Sequence, residues 1–260
     1  MLRYFASVLI VFTLWCPQVQ AADGGVLVLG GTGQLGSEIV KDLVEVGEDT
    51  TVLVRPTSNR ERLASLDVTY VTGDLLVDGD VERLFTTASY RVVVDASGQP
   101  QGGGDVNYYP ASQRLISKWA AATGVSHIIL HGATGAGDSA DLFMMEKVPE
   151  NRRGSIMAKD EAETILVNSG VPYTIMRHMT LLPFETTESG NARMTTDHRT
   201  VGAISRDGLA RLTLECIDNE ECLNTIFHVV DDDVELTGRY TKMWERYELI
   251  FKPEVLESRR

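Results

Sequence analysis

Seven consecutive residues carry the plainest chemistry in this sequence: Gly30-Gly31-Thr32-Gly33-Gln34-Leu35-Gly36. They directly follow the apolar run Val26-Leu27-Val28-Leu29 and open a stretch whose apolar residues recur at helical spacing. Glycines in that place permit a tight turn, close approach of backbone to a pyrophosphate and close helix–strand packing, and the helix N-terminus offers phosphate its free N–H donors and positive dipole end. Both Gly31-x-Gly33-x-x-Gly36 and Gly30-x-x-Gly33-x-x-Gly36 can be read here, so a dinucleotide is the expected ligand. The end of the following strand bears on which dinucleotide. Sites for NAD usually place Asp or Glu about 20 residues beyond the glycines, on the ribose 2′-OH. Arg55 stands there instead, in Val54-Arg55-Pro56, and with Ser58, Asn59 or Arg60 it suits a 2′-phosphate. NADP(H) is therefore expected over NAD(H).

Other reactive residues divide into those that suggest a site and those that do not. Tyr108 and Tyr109 follow Gly102-Gly103-Gly104, at a strand edge where ligands enter an α/β sheet. His127 and His131 are not a metal pair, since four residues of strand separate them by about 13 Å, and no metal is expected. Asp231-Asp232-Asp233 reads as a solvated acidic turn.

The elements that must position these residues alternate along the chain. Leu35, Ile39, Val40, Leu43 and Val44 form one face of a first helix, which Gly47 ends. Further strands are expected at Thr51–Val54, Val68–Val71, Arg91–Val94, His127–Leu130 and Tyr173–Arg177, with helices over about Asp80–Thr87, Val106–Thr123 and Met157–Asn168. This alternation predicts an α/β fold of Rossmann type: a doubly wound, mainly parallel sheet with helices on both faces. The expected division is residues 22–180 for the nucleotide-binding domain and 181–260 for a smaller C-terminal substrate-side region or lid, contributing one more strand at Ile226–Val230.

Composition narrows the partners. The 260 residues are 43% hydrophobic with a net charge of −13, which is globular composition. A sequence-independent grip on nucleic acid needs a cationic footprint, and an anionic membrane surface is disfavoured by the same Coulomb argument. Residues 1–21 have the plan of a secretory signal peptide: Arg3, an apolar run from Phe5 to Cys16, Pro17, and Val19-Gln20-Ala21 as the cleavage pattern. The run holds about a dozen residues against roughly 20 needed to span a bilayer, so an uncleaved membrane anchor is the weaker alternative. An exported, periplasmic or secreted protein with no stable membrane insertion is expected. Cleavage after Ala21 takes the charge to −14 and leaves Cys216 and Cys222, which in an oxidising compartment either pair as a disulfide or remain two separate thiols. Export conflicts with an NADP(H) site, because little free NADPH exists outside the cytoplasm, and the segment lacks the Arg-Arg pair of folded-protein export.

The segments VLVLGGTGQLG at 26–36, TVLVRP at 51–56, VTGDL at 71–75, GVSHIILHGATGAG at 124–137, MAKDEAETILVNSGVPYTIMR at 157–177 and SRDGLARL at 205–212 together resemble the NmrA-like, atypical short-chain dehydrogenase/reductases. The resemblance spans most of the chain after the signal segment. It implies that Asp74 and Leu75 lie beside the adenine, that Ala96-Ser97-Gly98 passes the cofactor ribose and phosphates, and that Lys159 reaches the nicotinamide ribose. A purely local alternative pairs Lys159 with Glu163 one helical turn on. The departures from the family pattern concern the chemistry. The usual Tyr four residues before the Lys is Ser155, and the usual Ser after the fifth strand is replaced by Gly132-Ala133, with Thr134 next. The common Arg-Pro after the sixth strand is Arg177-His178, which would set His178 near the nicotinamide, with an ordinary pKa near 6.5 suited to proton donation. His178, Tyr108, Thr134 or water are the candidate acids. The expected function is NADPH-dependent reduction of a small carbonyl, quinone or flavin-like substrate. The alternatives are a non-catalytic NADP(H) sensor, or a nucleotide-dependent epimerase or dehydratase, weakened by the absent Tyr and Ser.

Overall fold

Alternating side chains of short apolar strands must point to opposite faces, and a strand apolar throughout therefore needs cover on both. The computed structural model, which describes residues 24–99, 107–182, 191–234 and 236–257, shows this arrangement. The signal segment and Gly102-Gly103-Gly104 lie outside the described residues. β1 (Gly25–Leu29) is buried throughout, with Val26 and Val28 in one core layer and Leu27 and Leu29 in the other. It is followed by α1 (Gln34–Glu45), β2 (Thr50–Val54), β3 (Thr69–Thr72), α2 (Asp78–Thr87), β4 (Tyr90–Asp95), α3 (Tyr108–Thr123), β5 (His127–Ala133), α4 (Glu150–Val167) and β6 (Tyr173–His178). Then come β7 (Thr180–Leu182), β8 (Ala192–Thr195), β9 (Ala203–Ser205), α5 (Arg206–Glu215), β10 (Thr225–Asp231), α6 (Arg239–Glu248) and α7 (Pro253–Glu257).

The main sheet has the order β3-β2-β1-β4-β5-β6-β10-β8, and β7 pairs with β9 in a separate two-stranded ladder. All neighbours in the main sheet are parallel except β10 and β8. This is a Rossmann-type, doubly wound α/β fold. The strand order reverses between β1 and β4, and the crevice beyond their carboxyl ends is where such sheets bind ligands. On one face α1 and α5 pack through Ile39, Val40, Leu43, Leu209 and Leu212. On the other, α2, α3 and α4 contribute Val81, Leu84, Phe85, Ile116, Ala120 and Leu166.

The division at 180/181 cuts across this packing. β8 and β10 extend the main sheet, and α5 belongs to the same core layer as α1. A separate cluster forms where Tyr247, Ile250, Phe251 and Val255 meet Leu142, Phe143, Val148 and Ile156, so the cap over the crevice is built from the end of the chain and the β5–α4 connection together. α4 begins at Glu150, seven residues before the expected Met157. Its first two turns, Glu150-Asn151-Arg152-Arg153-Gly154-Ser155, are polar and hide the apolar period, while Pro149 at the cap position fixes the entry. A second correction concerns the acidic turn. Asp232 pairs with Arg193 and Asp233 accepts from Asn191, whereas Asp231 is buried, with Oδ2 lacking a partner. Cys216 and Cys222, both buried, are joined as a disulfide with Cα atoms 5.5 Å apart. No described helix is long and apolar enough to cross a membrane.

Candidate functional site

The turn after β1 shows why its glycines are needed. Gly30 has φ +78°, and a Cβ there would lie 2.6 Å from the Ala96 carbonyl oxygen and 2.7 Å from the Ser97 Cα. A Cβ on Gly36 would strike the Gly30 carbonyl and come within 2.8 Å of the Gly31 Cα, so α1 presses directly on the turn. On Gly31 it would meet Val52 Cγ1 at 2.7 Å. Gly33 caps α1 with no side-chain hydrogen bond. By helix geometry, the amides of Gln34, Leu35 and Gly36 are therefore left for an external anion. A cradle that any side chain would fill, ending in free amides at a helix N-terminus, fits a pyrophosphate.

A cavity of about 300 Å³ opens from this turn, lined by Gly30, Thr32, Arg55, Asp74, Ser97 and Tyr108 among others. Arg55 is exposed at the end of β2, its backbone N–H donating to Ser58 Oγ at 3.0 Å, and Ser58 lines the cavity too. Leu75 and Leu53 supply apolar wall beside Asp74, whose carboxylate accepts from the Leu76 N–H at 2.9 Å. Ala96 adjoins Ser97, whose backbone N–H donates to Asp95 at 2.9 Å. Asp95, a carboxylate at the end of a buried strand, was not singled out from sequence, although that placement in Val92-Val93-Val94-Asp95 is itself unusual. Burial raises its pKa, opposed by the hydrogen bonds from Ser97 and by the Lys159 charge.

The second half of the crevice is a cavity of about 260 Å³ on the α4 side, whose lining includes Thr134, Lys159 and His178. A small third cleft shares Ser97 with the first cavity and Tyr109 and Lys159 with the second. Lys159 Nζ lies 3.4 Å from the Gly132 carbonyl oxygen and 5.2 Å from the centre of the Tyr109 ring. Burial lowers its pKa, while Glu163 and Asp95 act in the opposite sense. The local pairing of Lys159 with Glu163 does not form. Glu163 is buried and accepts from Arg177 Nε at 2.9 Å, and Arg177 also pairs with Asp138.

Two expectations about the proton donor are corrected. Tyr108 lines the glycine-turn cavity, and burial together with the Asp95 charge raises its pKa; its neighbour Tyr109 is the phenol facing Lys159. One residue of helix rotates a side chain by about 100°, which separates the two rings onto different cavities. His178 lines the second cavity, but its pKa is held well below the ordinary value by burial and by the Lys159 charge, so it is neutral at pH 7 rather than poised near 6.5. Its ring Nδ1 is buried without a hydrogen-bond partner. Thr134 is buried at the end of β5 and its N–H donates to the His178 carbonyl at 3.1 Å. Ser155 and Arg152 also line this cavity and Arg152 was missed from sequence, because the helical start that puts 152, 155 and 159 on one face was itself hidden. His127 and His131 are buried separately: His127 Nε2 bonds Thr174 Oγ1 at 2.8 Å, and His131 Nε2 approaches Thr213 Oγ1 at 3.4 Å. Among the described residues, no cluster of three His, Cys, Asp or Glu side chains could hold a metal.

Sheet order, switch point and glycine cradle together define a Rossmann nucleotide-binding protein. Residues 30–220 match the NAD(P)H-binding family, and the chain belongs to that family. No curated protein matches it significantly. Among solved structures, it is similar to the anaerobillin reductase ChuY of Escherichia coli O157:H7, with 20% identity, a TM-score of 0.68, and 82% of this chain and 99% of that one covered. A putative NAD-dependent epimerase/dehydratase from Bacillus halodurans gives 23% identity and a TM-score of 0.68, covering 86% and 99%. A short-chain dehydrogenase/reductase of wide type from Veillonella parvula DSM 2008, in complex with NADP, gives 16% identity and a TM-score of 0.63, covering 80% and 95%. At these identities the likeness is one of fold.

Proposed function

We propose that this chain is an NADPH-dependent reductase of a small carbonyl, quinone or flavin-like compound. The observation that carries the proposal is Lys159, which lines both the second cavity and the small cleft that shares Ser97 with the cavity at the glycine turn. When bound, a reduced nicotinamide supplies a hydride. The chain's own residues do the rest. The free amides of α1 and Arg55 bind phosphate groups, and Arg55 with Ser58 in place of a carboxylate supports NADPH over NADH. Leu53 and Leu75 offer an apolar seat to the adenine. Lys159 presents its ammonium at the cleft, where it donates hydrogen bonds to ribose hydroxyls and favours negative charge developing on a substrate oxygen. With His178 neutral, the hydroxyls of Tyr109, Thr134, Ser155 and Tyr247, the Lys159 ammonium and water are the proton sources left in the second cavity. Quinone and flavin acceptors need no dedicated side-chain acid, which suits Ser155 at the usual Tyr position.

The test is calorimetric titration of the purified protein with NADPH and NADH, then an acceptor panel followed by loss of reduced-nicotinamide absorbance. Turnover of at least one acceptor class and weaker NADPH binding by Arg55→Asp are expected; unchanged NADPH affinity in that variant would remove the 2′-phosphate assignment. A second reading is favoured by Ser155 and by the neutral His178, which together leave no strong acid at the cleft. It is a nucleotide-binding sensor without turnover, and tight NADPH binding with no oxidation by any acceptor would select it. Residues 1–21 are further proposed to be an export signal, testable by N-terminal sequencing of the protein from its native compartment.

A further inference from the structure

The second cavity has a charge character that the net charge of −13 does not suggest. Its lining holds two cations, Arg152 and Lys159, and no Asp or Glu. Arg152, Ser155, Ile156 and Lys159 fall at i, i+3, i+4 and i+7 of α4, so one helix face forms the wall and the two cations stand about 10 Å apart along its axis. Arg152 is held from behind. Its guanidinium lies 4.2 Å from the centre of the Tyr247 ring and donates to the Tyr247 hydroxyl, and Tyr247 is buried on α6 with Trp244 against it at 6.0 Å. No described carboxylate pairs with Arg152, and of its five side-chain donors the structure commits one. Phe143 and Ile156 add flat apolar wall between the cations. A cationic fork, fixed by a buried aromatic and lining a cavity of about 260 Å³ with mixed polar and apolar walls, is complementary to a small planar molecule ending in a carboxylate.

We infer that Arg152 is the specificity-determining residue for an anionic substrate: a small aromatic or conjugated carbonyl compound whose carboxylate is bound by Arg152 while its carbonyl end faces Lys159. This rests on the reductase proposal for the identity of the cavity as a substrate site, but the anion site itself does not require turnover. It also gives helix α6 a role in recognition, since Tyr247 positions the guanidinium.

The test is direct binding to the full chain, by calorimetry, of 4-formylbenzoate against uncharged benzaldehyde, with and without saturating NADPH. The acid is expected to bind about tenfold more tightly or better, with the preference shrinking as salt is raised. Arg152→Gln should abolish most of that preference and leave NADPH affinity unchanged; Arg152→Lys should keep part of it. Equal binding of the two probes to the unmodified protein, no detectable binding of the acid, or an undiminished preference in Arg152→Gln would each overturn the inference. Comparison of two probes on the unmodified chain can overturn the inference even if the variants fold poorly, and the Arg152 variants separate its contribution from that of Lys159. Selective binding of the acid without NADPH oxidation would leave the anion site standing and remove the reductase proposal. Equal turnover of acid and neutral aldehyde would do the reverse.

Discussion

Removing Glu163 should destabilise this protein strongly, for an electrostatic reason. Arg177 is 3% exposed and Glu163 is also 3% exposed. Two guanidinium nitrogens, Nε and Nη2, each lie 2.9 Å from Glu163 Oε2, and the remaining partner, Asp138, sits on an exposed side chain whose attraction is screened by water. Glu163→Ala would strand a buried guanidinium, and deleting one member of a buried pair costs about 3–5 kcal/mol. Against a total stability of about 5–15 kcal/mol that is a large fraction. For a chain of this size it corresponds to a fall in Tm of roughly 6–20 °C. The assay is urea denaturation, with the midpoint lowered and the m-value unchanged. Glu163→Gln, which keeps the shape and one acceptor, should lose about half as much. The decisive comparison is Glu163→Met with Arg177→Met, where an apolar pair replaces both charges and most of the loss should be recovered. A loss below about 1 kcal/mol in Glu163→Ala, or no recovery in the double variant, would refute the account of the pair as a desolvated charge couple.

Three further outcomes are expected. Burial lowers His127 to about 4, His131 to about 3 and His228 to about 4, from 6.5, so the folded state resists protons that the unfolded chain accepts; this stability is complete above pH 6.5 and is lost as pH falls toward those values. Each should forfeit about 2 kcal/mol between pH 6.5 and 5, seen as a steep drop in the urea midpoint over that range. Asp42 on α1 is raised to about 6, mainly by burial and then, against the lowering by Lys41, by Glu38, Glu45 and Asp207. A raised carboxylate favours the folded state below its unfolded pKa and loses that benefit as pH rises through 6, so Asp42→Asn should stabilise at pH 8 by about 1 kcal/mol after discounting for its half-exposed position, with no gain at pH 3.5. Gly36→Ala forces a Cβ against the Gly30 carbonyl and the Gly31 Cα, and should lower NADPH affinity by about tenfold or more in calorimetry while the protein remains folded.

The architecture was legible wherever burial imposed a period. Val26–Leu29 and Thr51–Val54 announce themselves because both faces of a central strand must be apolar, and the glycine turn because only glycines permit its contacts. Legibility fails where position is set by partners distant in sequence. The first two turns of α4 carry no apolar stripe, so Arg152 gave no sign of sharing a wall with Lys159. β8 and the short β7–β9 ladder are too brief to show alternation, and the place of β10 beside β6 depends on a crossover that spacing does not encode. The choice between Tyr108 and Tyr109 turned on the helical phase of α3, one residue of which exchanges the cavities. For His178 sequence placed the side chain but not its protonation, which depends first on burial and then on the charge of Lys159 from a different element.

The acidity of the chain and the anion sites proposed for it are compatible because they act over different distances. At physiological salt, charges separated by more than about 8 Å are largely screened from one another. An extended polyanion needs many contacts over a broad surface, each made against the prevailing negative field, whereas a dinucleotide and a small acid need only one crevice. Within that crevice the amides of α1, Arg55, Lys159 and Arg152 lie along a single edge of the sheet, with Lys159 and Arg152 both partly buried, where screening is weaker than on the open surface. Neutralising surface carboxylates remote from the crevice should consequently leave ligand affinity at physiological salt nearly unchanged, while a single charge removed at Arg55 or Arg152 should change it about tenfold, each for a different ligand.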